Sequence, residues 1–400
     1  MGTQITQSAV NVTLLAGAET TLGTAASTGA GKVIRRVSST LTAAKDTFTS
    51  AEVRPDQQVA DMRHGLNKVQ GTISSELSTQ SYDDFLEALL RGTWTSGISG
   101  SNTDFTSLTA SNSDGSFTAA SGSFLTKGYK VGDIVRGSNF TIGANNNKNF
   151  RITALTATKM SVYPPPADMT SQATFTLAVQ GKKLTNGTVK RSFTLEQLHS
   201  DVSFSEQFLG CRVSQGQFKC PPNGMATADF DFVGVQTNLL TAGASPYFMS
   251  PTAAPTTGIL AGPSGSLQIA GSQQGIVTAL DFTLNNSCTT NAVVGATLSP
   301  DVWYGRSMVT GNVSAYLADS SLIAAFLNES EIDVITQLDA AAVAGGPADF
   351  LCFRMQRVKF TSCTKTVGAD GGVIATFPFQ ALLANSGNVD ASTLVIQRSN

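Results

Sequence analysis

Residues 63–77 read RHGLNKVQGTISSEL and residues 303–317 read WYGRSMVTGNVSAYL. Aligned without gaps, they share Gly65/Gly305, Val69/Val309, Gly71/Gly311, Ser74/Ser314 and Leu77/Leu317, with Ile73/Val313 a near match. A chain that writes one strand twice is constrained to fold as two like units. The match also extends past the strand. STQSYDDFLEALL follows Leu77 and ADSSLIAAFLNE follows Leu317, which lays Phe85, Leu86, Ala88, Leu89 and Leu90 on Leu322, Ile323, Ala325, Phe326 and Leu327. That apolar spacing predicts a short amphipathic helix in each copy. Asp83 and Asp84 fall in the first turn, where negative charge suits the helix dipole.

Flanking blocks repeat in the same order. Residues 37–41 (VSSTL) resemble 280–284 (LDFTL), and 53–59 (VRPDQQV) resemble 298–304 (LSPDVWY). Residues 211–218 (CRVSQGQF) resemble 356–363 (QRVKFTSC). Asn223-Gly224 and Asp370-Gly371 each read as a hairpin turn. Each turn is followed by an alternating strand carrying Phe230/Phe232 or Phe377/Phe379. The copies differ by one long piece in the first, 96–187, rich in Asn, Ser, Thr and Gly, with short strands expected at 130–136, 149–154 and 158–163. Regular strand and turn spacing predicts a small β domain inserted at the surface. The fold class is mainly β: two tandem β-sandwich or barrel domains, each with a short flanking α-helix, plus the inserted β domain. The division expected is an N-terminal arm (1–30), a discontinuous first repeat (31–95 and 188–244), the insertion (96–187), a proline-rich linker (245–265) and a second repeat (266–400).

Composition agrees. Charged residues make up only 14 % of the chain, and helix surfaces ordinarily need more than that. So sparse a surface charge removes a common guard against association and suggests surface buried against other chains. The formal net charge is −2 with no basic tail, so the counterion-release footprint of a tight nucleic-acid binder is missing. No run of 18 apolar residues offers a membrane span. The start lacks a basic segment followed by an apolar one, so no signal peptide is expected. MGTQIT fits a myristoylation pattern only formally, because that pattern is short and common. Cys211, Cys220, Cys288, Cys352 and Cys363 are odd in number and form no CxxC; they read as reduced thiols.

Catalytic and cofactor motifs fail one by one. STGAGKV (27–33) lacks both the first glycine and the Ser/Thr of a phosphate loop. His64 and His199 stand without metal-ligand spacing, and GxSxG is absent. Carboxylates pair at Asp83/Asp84, Asp229/Asp231 and Glu329/Glu331. Helix ends explain the first and third pairs, and the wet face of a strand explains the second. No enzyme, metal or cofactor is expected. The strands say more. Val69, Gly71, Ile73 and Leu77 alternate with Gln70, Thr72, Ser74 and Glu76, and the second copy places Thr310, Asn312 and Ser314 on the matching polar face. That face reads either as a solvated sheet or as a channel wall that must be wet without gripping a polyanion.

The stretches 54–94, 208–234 and 305–329 resemble the tail tube proteins of tailed bacteriophages. The resemblance covers most of the chain except the N-terminal arm and 96–187. It implies β domains whose inner strands join around a ring, with stacked rings forming the conduit for genome ejection. The common form of that family supplies one domain per chain and six chains per ring. Two domains per chain then imply a homotrimer with pseudo-hexameric symmetry. The implied partners are the chain itself, the tape-measure protein, tail terminator and distal tail proteins, and double-stranded DNA passing without specific binding. No membrane is implied. The location would be the tail of the virion, assembled in the host cytoplasm, and an outward lobe that obstructs a sheath would suit a non-contractile tail. Lumen-facing candidates are Gln70, Thr72, Ser74, Glu76, Thr310, Asn312 and Ser314. Two other readings stay open: a tail-tip receptor- or glycan-binding protein, and a tail-associated glycosidase, whose two carboxylates would face each other across a cleft.

Overall fold

The computed structural model describes residues 6–274, 277–340, 347–368, 371–385 and 387–399. In chain order the first half contains β1 (Val12–Ala18), β2 (Thr42–Thr49), β3 (Met62–Glu76) and α1 (Asp83–Leu90). It continues with β4 (Lys182–Thr185), β5 (Phe193–His199), β6 (Phe204–Cys220), β7 (Thr227–Gly234) and β8 (Gln236–Thr241). The second half contains β9 (Gly265–Ile269), β10 (Val277–Asn285), β11 (Met308–Tyr316) and α2 (Ser321–Leu327). It ends with β12 (Ile332–Asp339), β13 (Phe350–Phe360), β14 (Thr364–Thr366), β15 (Ile374–Ala381) and β16 (Val395–Arg398).

The two halves match residue by residue in their pairing. Ile73 lies opposite Phe230 and Gly71 opposite Phe232; in the second half Val313 lies opposite Phe377 and Gly311 opposite Phe379. Irregularities recur as well. Ser214 is an extra residue where β6 passes from Val213↔Phe232 to Gln215↔Asp231. The same extra residue falls between Phe360↔Phe379 and Thr364↔Thr376. A second bulge separates Phe193↔Cys211 from Leu195↔Phe208, and its counterpart separates Ile332↔Val358 from Val334↔Met355. A bulge re-aims a strand; here β6 and β13 each bend and serve two sheets.

Each half is therefore a sandwich. The first half's outer sheet runs β1–β5–β6–β8, and the second's runs β9–β12–β13–β16. The inner sheets are β2–β3–β7–β6 and β10–β11–β15–β13, the last strand continued by β14. Between the layers sits one core containing Val69, Ile73, Phe230, Phe232, Val213, Phe218, Phe282, Val309, Val313 and Phe379. Helix α1 closes it. Phe85 meets the rings of Phe193, Phe230 and Phe232 edge-on, with centroids 5.3, 5.6 and 5.1 Å away. Edge-to-face contacts favour the ring quadrupoles as well as burying area.

The repeated glycine has a steric cause. A Cβ on Gly71 would lie 2.5 Å from Leu41 Cα, and one on Gly311 would lie 2.4 Å from Asp281 O and 2.6 Å from the Phe379 ring. The neighbouring strand comes too close for a side chain in both halves.

Three sequence expectations change. Residues 12–18, expected within an arm, form β1, which pairs with β5 along its whole length. Leu14 and Leu15 are buried there, so this apolar run is core. Within 245–265, expected as a linker, Phe248 is buried and its ring lies against the glycines 17 and 31. The matched blocks also slip. Ser39 pairs with Ile73 as Leu280 pairs with Val313, and Val213 faces Phe232 as Phe360 faces Phe379. Both alignments were therefore displaced by two residues, which leaves every residue on its face because the side-chain period of a strand is two. Asn223-Gly224 lies in the turn between β6 and β7; Asp370 lies outside the described residues.

Residues 99–179 build an eight-stranded sheet of their own over a core that includes Phe117, Phe124, Tyr129, Phe150 and Leu177. The strands expected near 130–136, 149–154 and 158–163 are Ile134–Ser138, Phe150–Leu155 and Lys159–Tyr163. The chain returns through β4, which pairs with β16 and with Thr95–Ser96 and so widens the second half's outer sheet.

Candidate functional site

The two inner sheets do not stop at the boundary between halves. β6 carries β7 on one edge and β10 on the other, with Gln215↔Asn285, Gln217↔Thr283 and Cys220↔Leu280 in register. The result is one antiparallel wall ordered β2–β3–β7–β6–β10–β11–β15–β14. Beneath the join, the rings of Phe218, Phe282 and Phe353 pack with centroids 5.0 to 5.1 Å apart. Helix α1 reaches over it: Asn286 Nδ2 donates to Leu89 O at 2.7 Å, and Arg398 pairs with Asp83 at 2.5 Å.

One face of this wall is core and the other is polar. Gln70, Thr72, Ser74 and Glu76 on β3 and Thr310, Asn312 and Ser314 on β11 all lie on the polar face. Gln70, Thr310 and Asn312 are exposed, and the other four are half-buried. The strands between them add Asp229, Asp231, Gln215, Gln217, Lys219, Asp281 and Thr283. These were not singled out as lumen candidates, because only strand pairing brings β6, β7 and β10 between the two copies. The alternation in LDFTLN (280–285) was the available signal.

Side chains on this face hold one another. Thr72 Oγ1 donates to Asp231 Oδ1 at 2.5 Å, and Gln215 Nε2 donates to Asp231 Oδ2 at 3.1 Å. Lys219 lies 3.6 Å from Asp229, Lys68 lies 2.7 Å from Asp46, and the Ser314 and Thr376 hydroxyls share a hydrogen bond at 2.9 Å. Partial burial raises the Asp281 carboxyl above the ordinary range, and the Lys219 charge opposes that rise. Asp46, Glu76, Asp229, Asp231 and Asp281 outnumber the cations Lys68, Lys219 and Lys359 on this face, so its balance is weakly acidic.

Each carboxylate pair weighed for catalysis has at least one member held by another side chain. Asp83 holds Arg398, Asp84 holds Lys32 of the STGAGKV stretch, and Glu331 holds Arg357. Among the described residues no group of three or more His, Cys, Asp and Glu could hold a metal ion. All five cysteines are free thiols, and burial pushes Cys220 up to about 12 and Cys352 up to about 11. Among the described residues no helix is long and apolar enough to cross a membrane.

The family described as phage tail tube protein matches residues 9–381. This chain belongs to the phage tail tube protein family. The match takes in both halves and the inserted sheet, from before β1 to the end of β15. A search of curated proteins found no match. As a tail tube protein the chain is a structural component of the virion tail, assembled in the host cell. It associates with itself into a tube and with other tail components.

Proposed function

We propose that three copies of this tail tube protein close a ring, each supplying two of six wall segments, and that stacked rings form the conduit for genome ejection. The observation that carries this reading is the continuous inner wall, in which two like halves are already joined edge to edge. A closed ring needs a heterologous interface that repeats by rotation, and the chain contains one instance of it. The polar face, with Gln70, Thr72, Ser74, Glu76, Thr310, Asn312 and Ser314, lines the lumen. Its weakly acidic balance suits DNA that must slide, because phosphate contacts to Lys or Arg sum along a tube.

The division into two tube repeats and an insertion follows the matched pairing. The inserted sheet faces outward and sets threefold decoration on a pseudo-sixfold wall, as suits a non-contractile tail. Tape-measure protein and DNA occupy the lumen, while tail terminator and distal tail proteins meet the tube ends. The hairpin tips before β3 and β11 lie at the same end of the wall and expose Val53, Val59, Val293 and Val294; they carry the ring-to-ring contacts. The protein's work is structural and involves no turnover. Averaged electron micrographs of the purified protein or its parent particle test the reading. Rings of three chains with six similar wall segments are expected; six full-length chains per ring would overturn it.

A further inference from the structure

We infer that the seam between neighbouring chains copies the internal seam in register, with Thr42 of one chain directly opposite Thr364 of the next. This rests on the proposed ring and names its contact. The wall ends in two free edges: among the described residues β2 pairs only with β3, and β14 only with β15. Edge strands are templates for further pairing, and matched residues give the register. Gln217 lies opposite Asp229, which faces Ser74; Thr364 lies opposite Thr376, which faces Ser314. Thr364 is therefore the counterpart of Gln217. Thr283 pairs with Thr310 and Thr42 pairs with Gln70, so Thr42 is the counterpart of Thr283. Inside the chain Gln217 pairs with Thr283. The same step places Cys363 opposite Ala43 and Lys365 opposite Leu41, from Gly216↔Leu284 and Phe218↔Phe282.

Two further observations fit a missing neighbour of this shape. Val367, the counterpart of Cys220, is 76 % exposed, whereas Cys220 is half-buried in the internal seam. Helix α1 lies across the internal seam with Phe85, Leu86, Ala88, Leu89 and Leu90 all buried. The matching α2 has no fully buried residue, and Leu327 is 71 % exposed. A second copy docked by β2 covers α2 as the second half covers α1. Lys365 over Leu41 replaces the stacked Phe218–Phe282 pair, so the seam between chains is the less apolar of the two and the one suited to forming on assembly.

The test uses full-length chain carrying Cys363→Ser with Thr42→Cys and Thr364→Cys, assembled and then mildly oxidised. Both threonines are exposed, so the fold tolerates the change. A shifted control pairs Thr42→Cys with Ser362→Cys. Directly opposed residues meet disulfide geometry and diagonal ones do not, so linkage roughly tenfold above the control is expected, ending at three chains. Rings or tubes that link equally or better through the shifted pair, or not at all, overturn the seam while leaving the tube reading in place. A chain that stays monomeric, forming neither rings nor links, overturns both.

Discussion

The Arg354 guanidinium lies 2.9 Å from the Asp133 carboxylate, and both side chains are wholly buried. Arg354 belongs to the second half and Asp133 to the inserted sheet. Asp390 and Lys183 complete the cluster, with Arg354–Asp390 at 3.0 Å, Lys183–Asp133 at 2.9 Å and Lys183–Asp390 at 3.1 Å. Two positive and two negative groups balance. Gln397 adds a second clasp: its amide donates to Ile134 O at 3.0 Å and accepts from Ile134 N at 2.9 Å. The inserted sheet is thus clamped at its base to the second half. Removing one partner leaves an uncompensated buried charge. Arg354→Met should lower unfolding free energy by about 3–5 kcal/mol, read by chemical denaturation. An unchanged midpoint would show that the cluster contributes nothing net.

The same cluster sets an acid limit. Burial raises the Asp390 carboxyl, but the Arg354 and Lys183 charges outweigh that and hold it below the ordinary carboxylate range. A carboxyl lowered in the folded state adds stability above its unfolded value near 4, and that contribution is lost as pH falls through the lower folded value. Asp390→Asn should therefore be less stable than the parent at pH 7, and the gap should close below about pH 4. A gap that stays constant from pH 7 to pH 3 would remove Asp390 from the acid response.

The matched helices should answer differently to the same truncation. Phe85→Ala opens a cavity among Phe193, Phe230 and Phe232 and should cost about 3–5 kcal/mol. Phe326→Ala removes a half-buried ring on α2 and should cost the isolated chain about 1 kcal/mol or less while impairing ring closure. Thermal melts of the monomer and sedimentation of the assembled state separate the two. Equal destabilisation of the monomer would mean that α2 is already complete without a neighbour.

Much of this fold was legible because the duplication supplied its own control. The alternation around Val69 and Ile73 recurs at Val309 and Val313, and tertiary context obeys it in both copies. The helix DDFLEALL was readable for the same reason. Other features were hidden by physics that acts at long range. VTLLAGA (12–18) becomes a strand only because β5, far along the chain, offers an edge. The seam joins β6 to β10 with no local signal, since strand pairing depends on register between segments and not on composition. Asp133 sits in an ordinary turn, KVGDIV, and its partner Arg354 lies in a strand of the other half. A buried ion pair leaves no spacing to read.

The lumen assignment makes the last prediction. Gln70, Thr310 and Asn312 are the most exposed of the seven candidates, so lysine fits there without disturbing the core. Gln70→Lys, Thr310→Lys and Asn312→Lys together add three positive charges per chain to the polar face. If that face lines the conduit, each ring gains a belt of ammonium groups and every passing phosphate meets it. Tubes should still assemble, because the altered side chains lie on β3 and β11, one strand in from the seam strands, and stand on the face away from the core. DNA release from particles carrying the variant should slow at low salt and recover as salt rises, since each phosphate contact displaces condensed counterions that added salt returns. Ejection with parent kinetics at every salt concentration would place this face on the outside of the tube.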